Sequence, residues 1–188
     1  MILTLLWPWL MYGWAGGEIL LALLVRARRG RHAIQDRGTQ FILWGAILGS
    51  IVALDWVGNH FPWGIPGGRW LRSFAVVLMI FGLAVRITAI VTLGRSFTVN
   101  VATHASQTLQ RSGLYSMVRH PSYLGLEICF LAVGLYTRNW ACLALMLIAP
   151  TLAVVYRIHV EEIALRGAFG AQYDDYARTT KRLIPGIY

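Results

Sequence analysis

The chain has 188 residues, 57% hydrophobic and only 13% charged, with a net charge of +9. That balance excludes a soluble domain and leaves room for one all-α membrane domain of about five helices. The positive charge does not indicate nucleic acid: the arginines sit beside apolar spans and no soluble nucleic-acid module is visible, so it is assigned to topology and to anionic membrane lipids.

Five apolar segments stand out, at 2–25, 39–57, 71–93, 122–137 and 140–157. Helices are expected, because backbone left unpaired in lipid is not tolerated. The first segment lacks the positive flank of a signal peptide, and Arg26, Arg28, Arg29 and Arg31 follow it directly. It is expected to be a retained span with its N-terminus outside. The last two segments are short and separated only by Arg138-Asn139, which predicts a tight helical hairpin. Cys129 and Cys142 both lie in apolar stretches, so neither a disulfide framework nor a metal site is expected. Trp7, Trp9, Trp56, Trp63, Trp70 and Trp140 stand near segment ends, as an interfacial belt requires.

Arginine placement predicts the orientation. Arg26, Arg28, Arg29, Arg31 and Arg37 crowd one loop, whereas the turn-rich 58–70 loop holds only Arg69 among Pro62, Pro66, Gly67 and Gly68. Arg95, Arg111 and Arg119 lie in the next connection, and Arg157, Arg166, Arg178, Lys181 and Arg182 in the tail. The positive-inside rule puts 26–38, 94–121 and the tail in the cytosol. In the tail, Tyr173 and Tyr176 follow Phe169-Gly170 at helical spacing, with Pro185 as a stop, which predicts an amphipathic segment against the membrane face.

Two polar clusters flank the hairpin. Arg119-His120-Pro121-Ser122-Tyr123 opens it, and Arg157-Ile158-His159-Val160-Glu161-Glu162 closes it on the same side. Arg157 and Glu161 are i, i+4 and share a helix face, while Glu162 points about 100° away. A structural reading stands beside the chemical one. The pair alone is an interfacial salt bridge of a few tenths of a kcal/mol, and His120-Pro121 is an ordinary helix start with proline in the first turn. Glu18, Asp55, Arg86 and Glu127 fall within apolar spans, where charges need partners. Interhelical pairing, with Arg86–Glu127 as one pair, is weighed against a polar lining of an acceptor tunnel.

Taken in order, Gln107-Thr108-Leu109, Ser112-Gly113-Leu114-Tyr115, Arg119-His120-Pro121-Ser122-Tyr123-Leu124-Gly125, Glu161-Glu162, Leu165, Phe169-Gly170, Tyr173, Tyr176 and Pro185 resemble the isoprenylcysteine carboxyl methyltransferase family. This is the membrane group of S-adenosylmethionine-dependent methyltransferases that also includes phospholipid N-methyltransferase relatives. The resemblance runs from about Ser96 to the C-terminus. It implies a single membrane methyltransferase domain over 1–188, with three N-terminal spans in 1–94 and the cofactor-binding and catalytic region in 95–188.

The resemblance further implies a cytosol-facing S-adenosylmethionine site. Asn100 takes the place of a polar cofactor contact. Gln107, Thr108, Leu109 and Gln110 occupy the segment that wraps the cofactor, with glutamine where the family begins with histidine. Tyr115, His120, Pro121, Ser122 and Tyr123 match cofactor-lining positions, Glu161 an acidic cofactor ligand, and Arg157 a basic residue near the acceptor. The implied acceptor is lipophilic, foremost the carboxylate of a prenylated cysteine. The membrane would be the plasma membrane of a prokaryote or the endoplasmic reticulum of a eukaryote.

Methyl transfer is an in-line displacement that needs alignment and exclusion of water. A carboxylate is already ionised at neutral pH and needs no base. Arg157 would then aim it. A thiol, amine or lipid head group would need deprotonation, with Glu162 or His120 the nearest candidates. A catalytically silent scaffold and a nicotinamide-dependent reductase of related architecture are the other readings.

Overall fold

Proline, glycine and one asparagine set the helix ends. In the computed structural model, which describes residues 2–27, 38–94 and 109–188, the helices are α1 (Ile2–Leu5), α2 (Trp7–Ala27), α3 (Thr39–His60), α4 (Gly68–Leu93), α5 (Pro121–Thr137), α6 (Trp140–Phe169) and α7 (Ala171–Thr179), with a 3-10 turn at Gly113–Ser116. Among the described residues there is no strand beyond two isolated bridges. Pro121 opens α5 at a position where its missing N–H is not needed. Asn139 caps α6, its side chain accepting from the Ala141 and Cys142 amides at 2.8 and 3.1 Å.

Three of these helices, α3, α4 and α6, are long and apolar enough to cross a membrane, and α5 is a shorter apolar helix of 17 residues. The expected segments map onto helices, with two differences. The first, expected as one span, is divided at Leu6 into α1 and α2. The last was expected to end near 157 but continues to Phe169. Hydropathy marks only where the apolar part stops; Arg157, Glu161, Glu162 and Arg166 carry the helix onward through i, i+4 pairs.

α5 lies between α4 and α6, and α3 packs on α6. The α4–α5 crossing depends on two glycines. A Cβ on Gly125 would sit 2.6 Å from the Arg86 amide nitrogen and 2.7 Å from the Gly82 carbonyl oxygen. The backbones touch there, as small residues permit between helices in lipid. Gly134 plays the same part against Leu143 of α6, where an added Cβ would meet side chain at 2.7 Å and backbone at 2.9 Å. Met79, Leu126, Phe130, Met146, Val154 and Ile158 fill the space between these helices. Phe41, Val52, Phe81, Val91 and Leu152 point outward, the surface expected of lipid-facing helices.

The turn between α5 and α6 is clasped from outside. Arg138 adopts a left-handed φ of 59°, and its carbonyl accepts from Ile65 N at 2.7 Å. Asn139 Nδ2 donates to the Phe61 carbonyl at 2.7 Å. The 61–65 loop so fixes the far end of the helix pair, and with it the rotation at which α5 and α6 present side chains at the other end. Gly125→Ala should overpack a backbone contact and lower stability by about 1–3 kcal/mol, whereas Gly45→Ala, where a Cβ meets nothing within 4 Å, should leave it unchanged. Thermal unfolding in detergent measures both; equal midpoints would contradict the close crossing.

Candidate functional site

The feet of α5 and α6 bring His120 and Tyr123 against Arg157, Glu161 and Glu162. Tyr123 is at the first turn of α5, Arg157 and Glu161 one turn apart on α6. The Tyr123 hydroxyl donates to Glu161 Oε1 and accepts from Arg157 Nε. Arg157 Nε also lies 3.1 Å from Glu161 Oε1, and Arg157 Nη1 donates to Thr39 Oγ1 of α3 at 3.1 Å. Arg157 is 4% exposed and the Glu161 side chain 24% exposed, so the carboxylate lies at the open edge of the cluster. His120 is buried. Its Nδ1 is 3.7 Å from Glu161 Oε2 and its Nε2 3.6 Å from Glu162 Oε1, and Nε2 makes no hydrogen bond.

Glu162 points about 100° round the helix from Glu161 and is only 1% exposed. Its Oε1 accepts from Arg119 Nε at 2.9 Å, its Oε2 from Arg182 Nε at 3.0 Å, and Arg166 Nη2 stands 3.6 Å away. Arg119 also donates to the carbonyls of Ala177 and Thr180. The tail is stitched to the start of α5 by Arg119 N to Lys181 O at 2.8 Å and His120 N to Arg182 O at 3.0 Å. Tyr173 and Tyr176 of α7 are buried on the protein. Tyr176 Oη donates to the Tyr115 carbonyl at 2.6 Å. Burial pushes the Tyr176 phenol up to about 12 and lifts those of Tyr115 and Tyr173 further, so all three stay neutral.

Several expected site residues have other partners. Ser122 Oγ accepts from Arg86 Nη1 at 3.0 Å. Tyr115 Oη reaches the Ala89 carbonyl at 3.3 Å. Gln110 Nε2 donates to Ser112 Oγ at 2.9 Å, and Leu109 and Gln110 are half-buried. Asn100, Gln107 and Thr108, and the topology arginines from 28 to 37, lie outside the described residues. The pairing of Arg86 with Glu127 is not made. Arg86 instead binds Glu18 of α2 through both Nε and Nη2, and Glu127 accepts from Thr151. Spacing within a helix does not say which neighbouring helix is reached, so the partner could not be read from the sequence. Thr39 and the tail-anchoring roles of Arg119 and Arg182 were also missed; Arg119 stood within the quoted motif, and Arg182 had counted only toward topology.

The isoprenylcysteine carboxyl methyltransferase (ICMT) family matches residues 75–167. Protein-S-isoprenylcysteine O-methyltransferase B of Arabidopsis thaliana is 34% identical over 150 residues, covering 76% of this chain and 74% of the relative. The chain belongs to the isoprenylcysteine carboxyl methyltransferase family. A relative from Tribolium castaneum, protein-S-isoprenylcysteine O-methyltransferase, is 30% identical over 133 residues, which are 70% of this chain and 47% of that protein. A solved structure of the eukaryotic intramembrane Ras methyltransferase ICMT superposes with a TM-score of 0.71 at 26% identity, over 95% of this chain and 64% of that one. This chain thus spans between about half and three quarters of these relatives. The family match begins inside α4, earlier than the motif resemblance, and the structural likeness takes in the N-terminal helices as well.

Glu161 and Glu162 are adjacent in sequence and separate in role, which substitution resolves. Glu162→Gln should leave Arg119 and Arg182 without their anion and cost about 3 kcal/mol, the lower end for breaking a buried pair. Trypsin should then cut the tail after Arg178 or Lys181 many times faster in native detergent micelles. Glu161→Gln should not change that rate; equal acceleration in both variants would contradict the division.

Proposed function

We propose that this cluster transfers a methyl group from S-adenosylmethionine to a lipophilic acceptor, foremost the carboxylate of a prenylated cysteine or a similar group. The observation that carries the reading is the Tyr123–Arg157–Glu161 set at the feet of two apolar helices, in a chain whose relatives are named isoprenylcysteine O-methyltransferases. The residues present fit the donor. Glu161 offers an outward carboxylate for an ammonium or ribose hydroxyls, beside the buried His120 ring whose Nδ1 lies 3.7 Å from it. When bound, the donor supplies an electrophilic methyl on a sulfonium. The segment Gln107, Thr108, Leu109 and Gln110, with Asn100 before it, is assigned to wrap it. Tyr115, Pro121 and Ser122 form the wall behind, Ser122 held by Arg86 and Tyr115 by Tyr176.

Arg157 aims the acceptor. Its guanidinium is buried and fixed by Tyr123, Glu161 and Thr39, so its direction is set before any acceptor arrives. A carboxylate meeting it is already ionised, and no residue has to remove a proton. Glu162 is given to the tail and not to the reaction, because its two oxygens are committed to Arg119 and Arg182. The enzyme is read as one domain over 1–188 with five spans and a cytosolic site, in the plasma membrane or the endoplasmic reticulum.

Tritiated-methyl transfer to a prenylcysteine analogue, a long-chain amine and a lipophilic thiol tests the acceptor. The carboxylate should be used, at a rate flat from about pH 6 to 8. Arg157→Ala should lose about 100-fold, and Arg157→Lys, which keeps the charge without the planar fork, about tenfold. Product that forms only with amine or thiol, at a rate rising with pH, would replace the carboxylate reading.

Topology is tested separately. Single cysteines at positions 30 and 172 should label from the cytosolic side, and one at position 64 from the outside. Labelling of 30 and 64 from one side would overturn the five-span arrangement.

A further inference from the structure

A cavity lies at the end of the helix bundle away from the site. It measures about 530 Å³ and sits between the end of α3, the loop at Pro62 and Gly64, and the α5–α6 turn at Thr137 and Arg138. Thr39 at the start of α3 binds Arg157, and the helical rise from there to Asp55 puts the cavity about 24 Å from the site. Trp56, Trp63 and Trp140 are exposed at this end, as at a membrane–water boundary.

Two opposite charges line this cavity, Asp55 from α3 and Arg138 from the turn. Asp55 is exposed, and one of its carboxylate oxygens accepts from Asn59 Nδ2 at 3.3 Å. Arg138 is half-buried, and its side chain makes no hydrogen bond or ion pair among the described residues. Its Nε is buried, whereas Nη1 and Nη2 remain open to a ligand. The root of this side chain is fixed, because the Arg138 carbonyl accepts from Ile65 N. Neighbouring polar groups are used within the fold: Thr137 Oγ1 donates to the Gly134 carbonyl at 2.6 Å, and the Asn139 side chain caps α6 and donates to the Phe61 carbonyl.

Charges at a membrane boundary commonly reach water one by one. Here a cation and an anion from different elements share one cavity, and the attraction available between them goes unused. A ligand that carries both signs would use both walls. A phosphate matches the planar guanidinium, and a primary ammonium donates to a carboxylate. The rest of the wall suits a lipid. Ile51 continues it one turn toward the middle of α3, beside the outward-facing Leu48 and Val52. A hydrocarbon chain joined to the bound headgroup would leave the cavity along that apolar side.

We infer that this cavity binds the headgroup of a phospholipid that carries a primary ammonium, as phosphatidylethanolamine does, with its phosphate on Arg138 and its ammonium on Asp55. The lipid joins the end of α3 to the α5–α6 turn, beside the clasp made by loop 61–65. A trimethylated ammonium has no N–H for Asp55, and a glycerol headgroup has no positive charge. Phosphatidylcholine and phosphatidylglycerol therefore satisfy Arg138 alone. The site is separate from the donor and acceptor groups and stands whatever the acceptor is.

Native mass spectrometry of the full chain in detergent tests this, with phosphatidylethanolamine, phosphatidylcholine and phosphatidylglycerol of matched acyl chains and with soluble glycerophosphoethanolamine. Wild type should bind phosphatidylethanolamine about tenfold more tightly than the other two lipids, the scale of one charge-assisted hydrogen bond. Asp55→Ala should bring the ratio of phosphatidylethanolamine to phosphatidylcholine to about one, and Asp55→Ser serves if the alanine variant does not fold. Arg138→Asn, which tolerates the left-handed φ of 59° at this position, should weaken both lipids about tenfold and keep their ratio. Equal affinity for the two lipids in wild type, a ratio unchanged in Asp55→Ala, or no lipid bound at all would overturn the inference. Glycerophosphoethanolamine bound as tightly as the lipid would overturn the lipid assignment in favour of a soluble phosphate ester.

Discussion

The bond between Arg119 and Glu162 holds together the three parts on which the site depends. It joins the foot of α6 to the start of α5 and, through the Ala177 and Thr180 carbonyls and Arg182, to the tail. Taking these charges out of water is expensive, and their attraction repays it only where further hydrogen bonds complete the geometry. Here they do: both oxygens of Glu162 are occupied, and Arg119 also binds two carbonyls. The consequence is register more than net stability. With Glu162 fixed inward, the helical step of about 100° turns Glu161 toward Tyr123 and His120.

The opposite end of the helix pair supplies the second constraint. Loop 61–65 holds the α5–α6 turn through Ile65, Asn139 and Trp140, and Gly125 holds α5 against α4 at backbone contact. Between these fixed points α5 has little freedom to rotate. Tyr123 therefore meets Arg157 and Glu161 in a defined arrangement, and Arg86, bound to Glu18 and to Ser122, ties the same helix foot to α2. Preorganisation of this kind is what an alignment-limited displacement requires.

Much of this was legible in the chain. Apolar runs located the helices because lipid forces backbone pairing within each segment. Arg157 and Glu161 announced a shared face by their i, i+4 spacing, and the structure brings them together with Tyr123 and His120. What the sequence could not supply was partnership between helices. Arg86 was as near to Glu127 as to Glu18 on any hydropathy argument, and the choice came from the close α4–α5 crossing, which sends the Arg86 side chain toward α2. Adjacent glutamates likewise look interchangeable until the tail is in place, since Arg182 is far from Glu162 in hydropathy pattern yet bonded to it. The end of α6 was placed too early for a related reason: apolarity ended at Arg157, while paired charges sustained the helix to Phe169.

The outward carboxylate of Glu161 is assigned to a methyl-donor site. Titration calorimetry of the detergent-solubilised chain with S-adenosylhomocysteine and with NADPH, in wild type and Glu161→Gln, tests it most directly. S-adenosylhomocysteine alone should bind, more weakly in the variant by about 1.5–3 kcal/mol, the scale of a hydrogen bond to a charged group. Binding of NADPH without S-adenosylhomocysteine, or an affinity unchanged in a folded Glu161→Gln protein, would contradict it.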